Sequence, residues 1–366
     1  MIDCKNRNIL IATGGTGGHV FPAYSIAKYF MNNKYSVNIV TDKRGYKFLK
    51  DYKDIDIKII SSATIFKKNP FNIFIALFKI FLAFISSLIF LIKTKPKIVF
   101  GMGGYASFPT CIASKFLGIP FIIYENNLIL GKANRYLLPF AYKMFVSYKE
   151  LEGVDKKYKK KIAEIGNIIR EEILNYSHKN LFLDKKTISI LVLGGSQAAK
   201  MFAEKLPNIF KKCIDEKIDL VIYQQCLHEQ EKKLEQDYKL HNLNFKLFNF
   251  THNILNYFSK ADLVITRSGA SMLAELLNCN IPIISVPLPS SADNHQLKNA
   301  KYFMKMGYSF LIEEQELEEK LFPLIKSIYM DKDLISRMKE KQNSHSDHMV
   351  FNKIKNELRE LIDEQH

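Results

Sequence analysis

Residues 8–23 read NILIATGGTGGHVFPA, and residues 189–206 read SILVLGGSQAAKMFAEKL. Each is a short apolar run, then a glycine turn, then a segment with helical spacing, from residue 22 to 30 in the first copy. An apolar run without alternation fits a strand buried on both faces, as in a parallel sheet covered by helices. The pairs Gly14-Gly15 and Gly194-Gly195 lie about half the chain apart, which predicts two domains of similar size. Further buried-strand candidates are residues 37–40, 57–60, 98–100, 121–124, 144–146, 220–223, 263–265 and 283–286. Helical segments alternate with them, so the expected class is α/β with two Rossmann-like domains.

The length of 366 residues agrees with two domains. We place the boundary near residues 165–170 (IGNIIR), giving domains 1–164 and 165–340 and a charged, helical tail. The basic run 156–161 just before it reads most simply as a solvated loop face, with anion contact as the alternative.

Lys and Arg number 53 against 37 Asp and Glu, a formal net charge of +16, with 47% hydrophobic and 25% charged residues. These values exclude disorder as the main state and a polytopic membrane protein. The basic excess points to an acidic partner: nucleic acid, an anionic membrane surface or a phosphorylated ligand. No RNA- or DNA-binding motif is present and the lysines are spread over many segments, so nucleic acid is not expected. Cys4, Cys111, Cys213, Cys226 and Cys279 are scattered and form no C-x-x-C pair, which argues against a disulfide framework or zinc ribbon. The first residues run straight into a strand without an apolar signal region, so a reducing cytoplasm is expected.

Residues 71–92 read FNIFIALFKIFLAFISSLIFLI, with Lys79 the only charge. About 20 apolar residues suffice to cross a bilayer. Three features oppose a span: the stretch lies between two candidate strands, lysines flank both ends (Lys67, Lys68, Lys93, Lys95, Lys97), and Lys79 sits inside it. A buried core helix and a helix lying in the membrane interface remain, and the width of the apolar surface favours interfacial contact.

Gly14-Gly15-Thr16-Gly17-Gly18-His19 puts four glycines on a strand-to-helix turn, where backbone N–H groups and the helix dipole favour a diphosphate or sugar. The spacing is not G-x-G-x-x-G, although Asp42 would supply the acid, and the Walker lysine is missing. His19 is a candidate general base, its alternative being a structural histidine. In the second half, Gly194-Gly195-Ser196-Gln197 repeats the turn, and Thr266-Arg267-Ser268-Gly269-Ala270-Ser271 opens a helix carrying Glu275. Glu275 could accept two ribose hydroxyls or face solvent. Asp293-Asn294-His295-Gln296 follows in a polar loop, and together these fit a nucleotide-sugar site. Asp54-Ile55-Asp56 has the D-x-D form of a metal–diphosphate site but reads better as surface carboxylates, so no protein metal and no cofactor are expected.

These motifs resemble the MurG family of N-acetylglucosaminyltransferases. The likeness begins at residues 13–23 and continues through Gly101-Met102-Gly103-Gly104-Tyr105-Ala106-Ser107 and Glu125-Asn126-Asn127 with Gly131 and Asn134. It goes on through Gly166-Asn167 with Arg170, Gly194-Gly195-Ser196-Gln197, Arg267-Ser268-Gly269-Ala270 with Glu275, and His295-Gln296 with Asn299-Ala300. Departures are Ile168 for proline, Ala198 for glycine, Asn126 for glutamine, and Gln224-Gln225-Cys226-Leu227 without its glycine. The resemblance implies a GT-B fold, two Rossmann-like domains facing across a cleft, with the C-terminal helix, 341–366, packing back on the first. It implies inverting transfer of GlcNAc from UDP-GlcNAc, bound mainly by the second domain, to lipid I, giving β-1,4-linked lipid II and UDP.

By position, Ser196 and Arg170 would lie near the diphosphate and Thr251 would meet the uracil. Ala270, Ser271, Met272, Leu273, Ala274 and Glu275 would hold phosphate and ribose, with Glu275 on the ribose. Gln296 and Asn127 would contact the GlcNAc, while Thr16, Gly17 and Gly18 would border the reaction centre and His19 would be the base. The resemblance also implies a peripheral protein on the cytoplasmic face of the inner membrane, with cell-wall synthesis and division proteins as partners. Rival readings are another GT-B glycolipid glycosyltransferase using a UDP-sugar, a nucleic-acid-binding protein, and a structural membrane-surface protein.

Overall fold

The computed structural model describes residues 8–61, 70–176 and 186–362, with side chains for all of these but 70–73, 196–199, 360 and 362. Cys4, Lys67 and Lys68 therefore lie outside the described residues, as does the side chain of Ser196. The chain divides into two units, one reaching to Arg170 and resuming at Asp347, the other comprising Glu171–Ser346.

In the first unit the apolar runs become strands β1 (Asn8–Ala12), β2 (Ser36–Thr41), β3 (Asp56–Ile59), β4 (Ile98–Gly101), β5 (Phe121–Glu125), β6 (Lys143–Val146) and β7 (Ile162–Glu164). They form one parallel sheet in the order β3-β2-β1-β4-β5-β6-β7. Helices α1 (Gly17–Asn32), α2 (Lys43–Leu49), α3 (Pro70–Thr94), α4 (Ser107–Phe116) and α5 (Lys132–Leu137) make crossovers. The lack of alternation in β1 follows from burial on both faces. Ile9 and Ile11 pack with Val20 and Ile26 of α1, while Leu10 and Ala12 pack with Ala83, Leu91 and Cys111 beneath α3 and α4.

The buried side of helix α3 is a narrow stripe of mostly small residues, Ala76, Ala83 and Ser87 with Leu91, and Ser87 Oγ lies 3.0 Å from Thr110 Oγ1 of α4. Small side chains let two helices approach closely but cover little of the helix. The wide face bearing Phe74, Leu77, Phe78, Phe81, Ile89 and Ile92 is left exposed.

The second unit holds strands β8 (Ile188–Leu193), β9 (Leu220–Gln225), β10 (Asn244–Phe248), β11 (Leu263–Thr266), β12 (Ile283–Ser285) and β13 (Phe310–Leu311), parallel in the order β10-β9-β8-β11-β12-β13. Its helices are α6 (Glu171–Leu174), α7 (Gly195–Asp215), α8 (His228–Leu240), α9 (Leu255–Phe258), α10 (Ala270–Asn278), α11 (His295–Lys305), α12 (Leu317–Met330) and α13 (Asp333–Asn343). Strands β7, β10 and β13 escape a search for apolar runs. All three are sheet edges, where a strand has less to bury and reads short or alternating. Helix α1 begins at Gly17 rather than residue 22, so the glycine turn itself supplies the helix's first turn.

After α13 the chain returns to the first unit as α14 (Val350–Glu357) and α15 (Arg359–Ile362). Val350, Ile354 and Leu358, spaced four apart on one face, pack into the core around Ile9 and Phe30. The crossings fall at 170/171 and 346/347, later than residues 164/165 and 340/341, because hydrogen bonds decide them. Ile168 N donates to Tyr124 Oη at 3.0 Å, and Asn167 donates from N and Nδ2 to the Asp347 carboxylate at 2.8 and 3.1 Å. Gln342, by contrast, donates from Nε2 to Ile281 O and Tyr308 O inside the second unit.

Candidate active site

In each unit the strand that carries the first glycine turn lies at the switch in strand order: β1 between β2 and β4, and β8 between β9 and β11. The loops leaving such a strand and its neighbour diverge to opposite sheet faces and open a crevice at the carboxyl edge, where α/β folds bind ligands.

In the first unit the loops after β1 and β4 are packed together. Gly104 has φ +78°, and a β-carbon there would lie 2.5 Å from Gly14 O. Gly103 has φ +89°, and its β-carbon would lie 2.6 Å from His19 Nδ1, so the second loop fixes where the imidazole rests. Thr16 is exposed, while Gly17, Gly18 and His19 are half-buried in the first turn of α1. The Phe21 ring folds back beneath Gly17, and the Arg170 guanidinium stacks over Phe21 at 5.1 Å. Arg170, only 6% exposed, thus belongs to the first unit rather than to a domain 165–340.

Asp42 follows β2 and caps α2, where dinucleotide enzymes place their ribose-binding acid. Here its carboxylate accepts from Gly15 N at 3.0 Å and Gly45 N at 2.8 Å and pairs with Arg44 at 3.1 Å. It is the strut of the glycine loop. Glu125, 3% exposed at the end of β5, is a second hub. Its Oε1 accepts from Asn127 N and Nδ2 (3.1 and 3.0 Å), and its Oε2 from Gly131 N and Asn134 Nδ2 (2.9 and 3.0 Å). Burial pushes the Tyr124 hydroxyl far up, with the charges of Asp347 and Glu125 adding to it, so it stays protonated beside Ser147.

In the second unit Gly195 (φ +66°) opens α7, with Ser196 following in its first turn. Arg267 is buried over Phe202 and donates from Nη1 to Val286 O and Pro287 O (3.2 and 3.1 Å) and from Nη2 to Glu314. Ser268 is held from both sides: its N–H donates to Gln296 Oε1 at 3.2 Å, and its carbonyl accepts from Asn299 Nδ2 at 3.1 Å. Gln296 Oε1 also accepts from Leu288 N at 3.0 Å. The His295-Gln296 to Asn299 motif therefore braces the loop that starts α10. Ahead of it, Asp293 and Asn294 take left-handed φ values of 52° and 55°, which these residue types tolerate best after glycine.

Glu275 is 4% exposed, which overturns the alternative of a solvent-facing helix residue. Along 270–275, Ala270, Leu273 and Ala274 are buried and only Ser271 and Met272 are partly exposed, so most of this stretch would meet a ligand through its backbone. Thr251 Oγ1 accepts from Asn253 N at 3.1 Å in the loop after β10, next to exposed Phe250. Asp54 pairs with Lys28 at 2.8 Å, and Asp56 opens β3 and accepts from Asn38 Nδ2. Asp56 is therefore at the amino edge of its strand, away from the glycine loops. Among the described residues no three His, Cys, Asp or Glu side chains are arranged to hold a metal ion.

The glycosyltransferase family 28 N-terminal domain matches residues 9–146, and the glycosyltransferase family 28 C-terminal domain matches residues 189–352. A Pelagibacter ubique (strain HTCC1062) protein is 37% identical over 316 residues, 86% of this chain and 87% of its own. It is named UDP-N-acetylglucosamine--N-acetylmuramyl-(pentapeptide) pyrophosphoryl-undecaprenol N-acetylglucosamine transferase. The crystal structure of Acinetobacter baumannii MurG aligns with a TM-score of 0.76 at 26% identity, covering 98% of this chain and 100% of that one. The chain belongs to the MurG family. A relative of the same name from Rickettsia canadensis (strain McKiel) is 34% identical over 345 residues, 91% of this chain and 96% of its own. MurG-family membership makes the chain a glycosyltransferase, and its two parallel-sheet units are the two Rossmann-like domains of a GT-B fold. Asp42, Glu314 and the bracing function of Gln296 were not legible from spacing. Glu314 in particular carries no local sign, since its partner Arg267 is 47 residues away.

Proposed function

We propose that this MurG-family chain transfers GlcNAc from UDP-GlcNAc to the 4-hydroxyl of undecaprenyl-diphospho-N-acetylmuramoyl-pentapeptide (lipid I), with inversion, giving lipid II and UDP. The observation that carries this reading is the match to relatives of that named activity over nearly their whole length. The glycine loops at both switch points agree with it.

The reaction needs a base for the acceptor hydroxyl and positive groups for the charge that grows on the leaving diphosphate. His19 acts as the base, since it sits in the first turn of α1 with its ring held against Gly103. Thr16, Gly17 and Gly18 border it. The N-terminal turns of α7 and α10, with Ser196 and Arg170, absorb the diphosphate charge. Glu275 accepts from the ribose hydroxyls, and the loop at Thr251 meets the uracil through its backbone. Gln296 reaches the sugar through Nε2, because Oε1 serves Ser268 and Leu288. Asn127 also meets the sugar.

The lipid-linked acceptor also requires access to a bilayer, and α3 supports that. Residues Phe74–Thr94 are apolar enough to span, and most of them are exposed or half-buried. The chain on either side of it forms β3 and β4 of one sheet, so a span would divide that sheet across the membrane. The exposed face, with Phe74 at 68%, continues through Phe84 to Phe116 of α4, which is 76% exposed. Lys79, Lys93, Lys95 and Lys115 are exposed on these two helices and the turn after α3. Apolar insertion with lysines at headgroup level describes a peripheral protein on an anionic, cytoplasmic membrane face.

The test incubates purified full-length protein with radiolabelled UDP-GlcNAc and a short-chain lipid I analogue and looks for a labelled disaccharide lipid. Labelled product is expected. UDP binding without transfer would overturn the acceptor assignment, and a His19→Ala variant with wild-type turnover would remove His19 as the base.

A further inference from the structure

An asparagine amide offers a ligand either a donor or an acceptor, and which one depends on the partners that hold its other end. Three residues at the end of β5 settle this for the first unit. Asn126 Nδ2 donates to Gly18 O at 3.1 Å, which turns Asn126 Oδ1 toward Asn127. Asn127 Nδ2 donates to that Oδ1 at 3.1 Å and to Glu125 Oε1 at 3.0 Å. The relay thus runs from a carbonyl in the first turn of α1 to a buried carboxylate, and both end groups accept only. Neither amide can flip without facing oxygen to oxygen.

We infer that Glu125 is a positioning residue that fixes the polarity of this relay, so that Asn127 meets a sugar hydroxyl as a hydrogen-bond acceptor. That the ligand is a sugar rests on the transferase reading above; the relay does not. Both hydrogens of Asn127 Nδ2 are engaged, so its side chain has only Oδ1 with which to recognise a ligand, and the group recognised must donate. Glu125 is unsuited to be the general base. Each of its oxygens already accepts two hydrogen bonds, and two of the four come from backbone N–H groups that cannot turn away. Protonating it would put a hydrogen between one oxygen and a donor. Because the relay ends on Gly18, it also ties Asn127 to the turn that bears His19.

The experiment measures transfer by the full-length protein as kcat, KM for UDP-GlcNAc and the pH profile, with thermal midpoints alongside. Glu125→Gln replaces one accepting oxygen by a donor of the same shape. It is expected to lose about 100-fold in kcat/KM while the acidic limb of the profile stays where it was. Asn126→Ala, which cuts the relay without touching the carboxylate, is expected to lose about tenfold and decides the matter if Glu125→Gln does not fold.

Activity of Glu125→Gln within about threefold of wild type would overturn the inference. So would disappearance of the acidic limb, which would make Glu125 the base, or a wild-type rate for Asn126→Ala. Should the wild-type protein transfer nothing, the function reading falls by itself. The relay is then judged by NMR of protein labelled with 15N-asparagine. Slow exchange of the Asn127 side-chain amide that is lost in Asn126→Ala upholds it, and fast exchange in the wild type overturns it.

Discussion

The two glycine turns look alike in sequence and are built for different physical reasons. In the first unit the glycines are required by the chain itself. Gly14, Gly103 and Gly104 lie where a β-carbon would strike Ala106, His19 or Gly14 O at 2.5–2.7 Å. In the second unit, among the described residues, nothing lies within 4 Å of a β-carbon at Gly195 or Gly269. Gly269 also has an ordinary extended backbone (φ −68°, ψ 132°), so neither crowding nor conformation calls for glycine there. Glycine is among the residues favoured at this N-cap of α10, and without a β-carbon it also lets a ligand approach the backbone closely. The first turn is a self-packed platform, whereas Gly195 is called for by its positive φ alone and Gly269 by neither φ nor crowding.

Two glycine variants test this contrast, and two further variants test the apolar helix and a buried thiol. The largest expected effect is from Gly104→Ala, which combines a positive φ with a 2.5 Å approach to Gly14 O. It should cost about 3 kcal/mol or more in urea unfolding, and a cost below about 1 kcal/mol would break the platform picture. Next is the apolar face of α3. Replacing Phe74, Phe78 and Phe81 by Ser should weaken flotation with anionic vesicles about 100-fold, at little cost in thermal stability because all three are exposed. Retained flotation would leave the lysines alone to explain membrane contact.

Gly269→Ala should leave unfolding within about 0.5 kcal/mol of wild type and weaken UDP-GlcNAc binding about tenfold, read by calorimetry. Equal loss of stability and binding would mean that this glycine, too, is structural. The last test concerns pH, and at neutral pH it has no effect. Burial pushes the Cys213 thiol up to about 12, above an unfolded value of about 8.5. The unfolded chain therefore gives up this proton first. The stability contribution is complete below pH about 8.5 and is lost as pH rises toward 12. Cys213→Ala should flatten that alkaline decline, and an unchanged slope would assign it to other groups, Cys226 among them, whose thiol is pushed to about 11.

The residues show unevenly what could be read in advance. Strands such as 8–12 and 188–193 are plain in the sequence because burial on both faces demands unbroken apolar runs, whereas β10, NFKLF, alternates as an edge strand does. The glycine turns announce a site because few other positions need residues without a β-carbon. Arg170 stands out in its motif but not as a member of the first unit, since what holds it is the Phe21 ring, 149 positions away in the chain. Gln296 stands out as a polar residue of its motif, but its engagement with Ser268 and Leu288 depends on a fold that joins two loops.

The sequence by itself determined the class of each segment, the pairing of strand with glycine turn, the basic charge and the apolar width of residues 74–94. These follow from local spacing and composition, which a linear chain carries in full. Only the tertiary structure decided which carboxylates are struts, which way the amides of Asn126 and Asn127 point, and where the chain passes between units. Those outcomes depend on hydrogen bonds between residues as far apart as Asn167 and Asp347. Such bonds are short-ranged and directional, and they exist only once burial has brought their partners within about 3 Å.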